Sequence, residues 1–75
     1  MSEADKLFEE LGYKKYESEI EIKYIFEGMD TIRFWKRIKN IDFYIWNDGK
    51  TPLNKTLNIY EIQAINKKCQ EMGWL

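Results

Sequence analysis

The stretch IRFWKRIKNIDFYIW, Ile32 to Trp46, holds two of the three tryptophans of the chain and both of its arginines. Ile32, Phe34 and Ile38 fall on alternate positions, and so do Ile41, Phe43 and Ile45. Successive side chains of a strand point to opposite faces, so this spacing predicts two strands with one apolar face. The intervening positions are not the usual polar set. They carry Arg33, Trp35, Tyr44 and Trp46, which puts rings on the second face as well. A small domain needs one such face for its core, so the second is the natural place to look for function.

The same period of two continues upstream. Ile20, Ile22, Tyr24 and Phe26 alternate with Glu19, Glu21, Lys23 and Ile25. The strands are predicted over 17–26, 31–38 and 41–46, with loops at EGMDT and KN. NDGKTPLNKT, Asn47 to Thr56, combines Asp-Gly with the single proline and reads as a polar connection, so the sheet should end near Trp46.

Toward the two ends the period changes to that of a helix. Ser2 followed by Asp5 is a capping-box-like start, and Ala4, Leu7, Phe8 and Leu11 share a helical face, predicting a helix over 3–11. Asn58 with Glu61 three residues on opens a second helix over 59–72, striped by Ile59, Ile62, Ile65, Cys69 and Met72. Gly12 and Gly73 supply the left-handed residue that stops each helix, letting Tyr13 fold back onto Phe8 and Trp74 onto Cys69.

These elements predict an α+β domain spanning residues 1–75. It is a two-layer α-β-β-β-α fold, a three-stranded antiparallel meander in order 1-2-3 with both helices on one face. The core should take in Leu7, Phe8, Leu11, Ile20, Ile22, Tyr24, Phe26, Ile32, Phe34, Ile41, Phe43, Ile45, Ile62, Ile65, Cys69 and Met72.

Register follows from the loops. A two-residue turn at Lys39-Asn40 sets Ile38 against Ile41 and Phe34 against Ile45 on the core side. An odd-numbered loop around Gly28, Met29 and Asp30 keeps Ile22, Tyr24 and Phe26 on that side too. The outer face then forms three cross-strand rows: Glu21, Arg37 and Asp42; Lys23, Trp35 and Tyr44; Ile25, Arg33 and Trp46. Each pairing is ionic, aromatic or cation–π, worth about 0.2–1 kcal/mol.

Charge supports such a cross-strand reading. Residues 1–30 hold nine acids and four lysines, −5, whereas residues 31–75 hold eight basic residues and four acids, +4, giving the net −1. An acidic segment lying beside a basic one neutralises both. At 75 residues a single core just suffices, helped by the 16% of aromatic residues. No apolar stretch approaches the roughly 20 residues that span a bilayer, and Cys69 is the only cysteine, so the expectation is a reducing, cytoplasmic setting with no membrane partner.

The composition argues against catalysis. There is no histidine, which removes the commonest general base and metal ligand. Cys69 lies on an apolar stripe, and Asp48 in NDGK lacks the further ligands of a calcium loop. The expectation is no catalytic residue, no metal and no cofactor. The candidate interaction face is Arg33, Trp35, Tyr44, Trp46, Ile25 and Lys23, because tryptophan, tyrosine and arginine are the side chains enriched in binding hot spots. Self-association as a homodimer through this outer sheet face would bury the same patch twice.

The order α-β-β-β-α near this length resembles the topology of the double-stranded-RNA-binding domain, which reads shape and phosphates. That family carries a lysine cluster at the start of its last helix and a hairpin loop ending in histidine. Here the helix opens NKTLNIYEI with Lys55 alone. Nucleic-acid binding through stacking on the sheet face is the alternative reading, with Glu21 and Asp42 on that face weighing against it. The segments ADKLFEELGYKK (4–15), IRFWK (32–36), FYIW (43–46) and IYEIQAINKKCQEMGWL (59–75) resemble a family of short uncharacterised proteins carried by prophages and conjugative elements of Gram-positive bacteria. The resemblance is strongest in the last helix, with Ala64-Ile65-Asn66-Lys67-Lys68 and the Gly73-Trp74 stop. It implies a fold type and a mobile-element context, and it transfers no site residue. The leading expectation is a small non-catalytic accessory or modulator protein of a phage or mobile element, contacting a host or phage protein.

Overall fold

The structure is a computed structural model describing residues 2–46 and 53–75. Its elements are α1 (Glu3–Glu10), β1 (Tyr13–Glu17), β2 (Glu21–Phe26), β3 (Asp30–Trp35), β4 (Asn40–Ile45), β5 (Leu53–Asn54) and α2 (Ile59–Glu71). The strands form one antiparallel sheet in the order β1-β2-β3-β4-β5. The predicted meander is its centre, β2 to β4, and two edge strands extend it.

The strand expected over 17–26 is divided at Ser18. The Ser18 amide donates to the Glu21 carbonyl at 2.9 Å, and its hydroxyl accepts from the Ile20 and Glu21 amides, closing a turn that sends residues 13–17 back along β2. YKKYE gives no apolar alternation, so periodicity alone does not reveal β1. Of the predicted connection 47–56, residues 47–52 lie outside the described residues; Leu53 and Asn54 pair with Ile45 and Tyr44.

Both helix starts form as their sequences imply. The Ser2 hydroxyl accepts the Asp5 amide at 3.0 Å, and Asn58 and Glu61 make a reciprocal capping box. At the end of α2 the Gly73 amide donates to the Gln70 carbonyl and the Trp74 amide to the Cys69 carbonyl, the pair of hydrogen bonds of a Schellman stop. Trp74 folds back, but its ring packs on Phe34 at 6.2 Å. At the end of α1, Gly12 takes φ +94°, and a Cβ there would stand 2.7 Å from the Phe26 ring. Two independent constraints therefore require glycine at this one position.

Both helices cover one face of the sheet. Phe8 of α1 stacks on Tyr24 at 3.8 Å between ring centres and meets Tyr13 and Phe34 edge-on. Tyr24, Ile32, Phe34, Phe8, Ala4 and Ala64 are fully buried. Cover ends abruptly beyond β3. Ile32 is 0% exposed, whereas Phe43, its direct cross-strand neighbour on the same face, is 44% exposed. Three expected core residues are thereby corrected: Phe43 lies past the helix layer, Ile62 on the uncovered flank of α2, and Ile20 in the Ser18 turn, all three exposed.

The registers differ from expectation while the faces do not. Phe26 pairs with Asp30 across a loop of Glu27, Gly28 and Met29, which shifts the expected first hairpin by two residues. Trp35 pairs with Asn40 across a loop of Lys36 to Lys39, so Arg37 and Ile38 leave the sheet and stand exposed. The physical reason is the turn. A two-residue Lys-Asn hairpin needs positive φ at both positions, whereas the four-residue loop needs it only at Lys39, at +57°. Even shifts preserve which side chains point inward, so the outer face keeps its membership and changes its partners.

Candidate interaction face

The outer face now reads, row by row, Glu21, Trp35 and Asn40; Lys23, Arg33 and Asp42; Ile25, Thr31 and Tyr44. None of the three expected rows forms: Arg37 leaves the sheet, Trp35 stands beside Glu21 instead of Lys23, and Arg33 beside Lys23 instead of Ile25. All six candidate residues nevertheless lie together on this face, with Trp46 reaching it from just beyond β4. Lys14 and Tyr16 of β1 extend it beside Ile25 and Lys23. The apolar pattern does not place them there, because the Ser18 turn that does so leaves no alternation in YKKYE.

Arg33 organises the centre. Its guanidinium carbon sits 5.0 Å from the Trp35 ring centre and 5.5 Å from that of Tyr44, and Trp46 meets Tyr44 edge-on at 5.7 Å and 89°. Asp42 lies directly across from Arg33, yet its carboxylate accepts the Trp35 indole N–H at 2.7 Å. The nearest acid to Arg33 is Glu21, with Oε2 at 3.5 Å from Nε, and Glu21 also faces Lys23 at 3.4 Å. The Arg33 Nε is buried without a hydrogen-bond partner, held by ring faces and charge. Cation–π contacts of this kind contribute about 0.5–1 kcal/mol each where partly exposed.

Thr31 shows how tightly the face is built. It points away from both helices, between Ile25 and Tyr44, but is only 2% exposed. Trp35 and Tyr44 are half-buried and Trp46 is exposed, each in contact with a neighbour on the same face. The face can offer rigid rings and an oriented cation while carrying Glu21 and Asp42 in the same surface.

Two further polar clusters lie on the helix side and were read in the sequence only as caps or isolated charges. Asp5 of α1 accepts from Lys15 at 2.8 Å, from the Tyr24 hydroxyl at 2.5 Å and from Lys68 of α2 at 3.2 Å. Burial pushes the Asp5 carboxyl up, but those hydrogen bonds and the Lys68 charge outweigh it and hold the group well below the usual carboxylate range. Tyr24 is correspondingly pushed up by burial and by donating to Asp5. In the second cluster, Glu61 accepts from the Tyr13 hydroxyl and from Lys55 at 2.9 Å, and Lys55 also reaches Asp30 at 3.2 Å. Burial opposes the Lys55 charge, yet its acidic partners raise its pKa on balance.

The second cluster walls a pocket of about 370 Å³ shared by Leu11, Phe26, Leu57 and Asn58. Its polar groups bond to one another, so they read as ties between helix and sheet. Acids of the first half and bases of the second meet here and elsewhere, as Glu3 with Lys67 and Glu17 with Lys36, which resolves the charge asymmetry of the sequence. Cys69 is buried, and that burial raises its thiol pKa.

Among the described residues, no helix is long and apolar enough to cross a membrane. No protein-family model, no curated protein and no solved structure matches this chain.

Proposed function

We propose that this chain is a small non-catalytic accessory or modulator protein of a phage or other mobile element, acting through protein–protein contact at the outer sheet face. The observation that carries the reading is the Trp35–Arg33–Tyr44–Trp46 assembly, ordered in the free protein on a face that neither helix covers. Side chains already fixed lose little conformational freedom on binding, so rigid aromatic and arginine anchors convert contact into affinity efficiently. The mobile-element setting rests on the resemblance of the segments at 4–15, 32–36, 43–46 and 59–75. Glu21 and Asp42 within the face favour a protein surface over a phosphate backbone, because each would stand against a phosphate.

The test compares the wild type with Trp35→Ala/Trp46→Ala as immobilised bait in host lysate. Both rings lie outside the helix-side core, so the variant is expected to remain folded by circular dichroism while losing the protein the wild type retains. Equal capture by both baits overturns the reading. In parallel, amide NMR spectra at low salt with short single- and double-stranded RNA and DNA should stay unchanged. Salt-sensitive shifts confined to Arg33, Trp35, Tyr44 and Trp46 would replace the protein-contact reading with nucleic-acid binding.

A further inference from the structure

Among the described residues, the helix side of the sheet has an unroofed margin. Ile32 of β3 is 0% exposed in the core it shares with Ala64 and Cys69 of α2, and one strand further out Phe43 is 44% exposed, followed by Leu53 of β5 at 48%. Both point to the helix side, since they share a face with Ile32 and Ile45. The wall of this margin is a flank of α2. The opposite flank is marked by its bonds to α1, Lys67 to Glu3 at 2.9 Å and Glu71 to the Ala4 amide at 2.9 Å. At roughly 100° per residue, Ile62 lies about 140° around the helix from Lys67 and about 180° from Glu71, so it faces away from α1 and over β4. Ile62 is 46% exposed and Ile59, one turn earlier, 59%. Sheet and helix together form a ledge with an apolar floor and an apolar wall.

We infer that this ledge is the contact surface for a second copy of the same chain, related by a twofold axis. Two observations support a second copy as the occupant. A twofold interface sets each patch against itself, so any excess of one charge repels. In a chain that is 33% charged, Phe43, Leu53, Ile59 and Ile62, with the half-buried Ile41 and Ile45 beside them, bring no charge to the ledge. Area is the second. The four exposed side chains present on the order of 350 Å² of apolar surface, and Ile41 and Ile45 bring the patch toward the ~450–500 Å² of apolar area in one side of a standard interface. The outer face, with Glu21, Lys23, Arg33 and Asp42, lies on the opposite side of the sheet and stays open in such a dimer. Each dimer therefore displays two Trp35–Arg33–Tyr44 faces pointing away from the twofold contact.

Sedimentation equilibrium of the full chain over a micromolar to millimolar range tests this directly. The wild type should show a concentration-dependent mass between one and two chains. Phe43→Glu and Ile62→Glu, made separately at exposed positions and checked for native circular dichroism, should each raise the dissociation constant at least about a hundredfold, because the twofold buries two carboxylates against apolar surface. Trp35→Ala/Trp46→Ala should sediment as the wild type does. A wild type that remains monomeric throughout, a dimer indifferent to both glutamates, or one abolished by the tryptophan variant would each overturn the inference. None of these outcomes depends on the outer face having a partner.

Discussion

Replacing Asp5 by asparagine removes one charge from the point where α1, α2 and the sheet are tied together. The Asp5 side chain is 12% exposed and accepts from Lys15, Tyr24 and Lys68, the last itself 8% exposed. Hydrogen bonds to an ionised group contribute about 1.5–3 kcal/mol each. Asparagine keeps the size and one acceptor, and the cations keep weaker alternatives, Lys15 with Glu17 at 3.3 Å and Lys68 with Glu71 at 3.8 Å. The net loss should be about 2–4 kcal/mol at pH 7. A 75-residue domain has a total of about 4–11 kcal/mol. Asp5→Asn should therefore fold in buffer but melt on the order of 10–25 °C lower. Urea titrations at pH 7 and pH 3 add a second check. The folded Asp5 carboxyl is held below its unfolded value near ~3.9, so near pH 3 the folded chain binds fewer protons than the unfolded one. Its contribution is complete above about pH 4 and is lost as pH falls toward the folded value. The variant lacks the group, so the gap between the two proteins should narrow by up to ~1.4 kcal/mol per pH unit below that point. A depressed carboxylate that shares no partner with Asp5, such as Glu61, is common to both proteins and cancels. A gap under ~0.5 kcal/mol at pH 7, or one that does not change on acidification, would refute the reasoning.

The second buried cluster should behave as a coupled pair. Lys55→Met leaves the buried Glu61 carboxylate without its lysine, and Glu61→Leu leaves Lys55 with Asp30 alone; each should cost about 3–5 kcal/mol in urea titrations, while the double variant should cost at least ~2 kcal/mol less than their sum; additivity within ~0.5 kcal/mol would refute the coupling. Gly12→Ala combines positive φ with an overlap on the Phe26 ring and should cost more than ~2 kcal/mol, whereas Gly73→Ala, also at positive φ but in open space, should cost about 1 kcal/mol. Equal thermal shifts for the two alanines would remove the steric part of that argument.

The sequence makes the helices legible because their signals are local: Ser2 with Asp5, Asn58 with Glu61, and the stops at Gly12 and Gly73. It makes the two faces of β2 to β4 legible because alternation fixes parity. Parity does not fix register, and the Lys36–Lys39 loop turns on a backbone preference that apolar spacing does not encode. β1 escaped because Tyr13, the buried residue of YKKYE, is held by Phe8 of α1 and by the carboxylate of Glu61, forty-eight residues away. Alternation is enough to put Lys23, Ile25, Arg33, Trp35 and Tyr44 on one face of the sheet. Their actual contacts, with Asp42 serving Trp35 in place of Arg33, required the register. Exposure of Phe43 and Ile62 could not be read from hydropathy, since it depends on how many strands two helices can cover.

Every strand in this sheet pairs with its neighbour in sequence, and the turns at 27–29 and 36–39 close their hairpins over three and four residues. The longest ties along the chain are made by α2, to α1 through the Ala4 amide and Glu71, 67 positions apart, and to β1 through Tyr13 and Glu61, 48 apart. Closing such a span instead of a hairpin costs about 2–3 kcal/mol more in chain entropy. The sheet can therefore assemble strand by strand, but its apolar face stays wet until α2 arrives beside α1. The helix pair acts as a latch that closes last, and whatever loosens the latch speeds unfolding more than it slows folding.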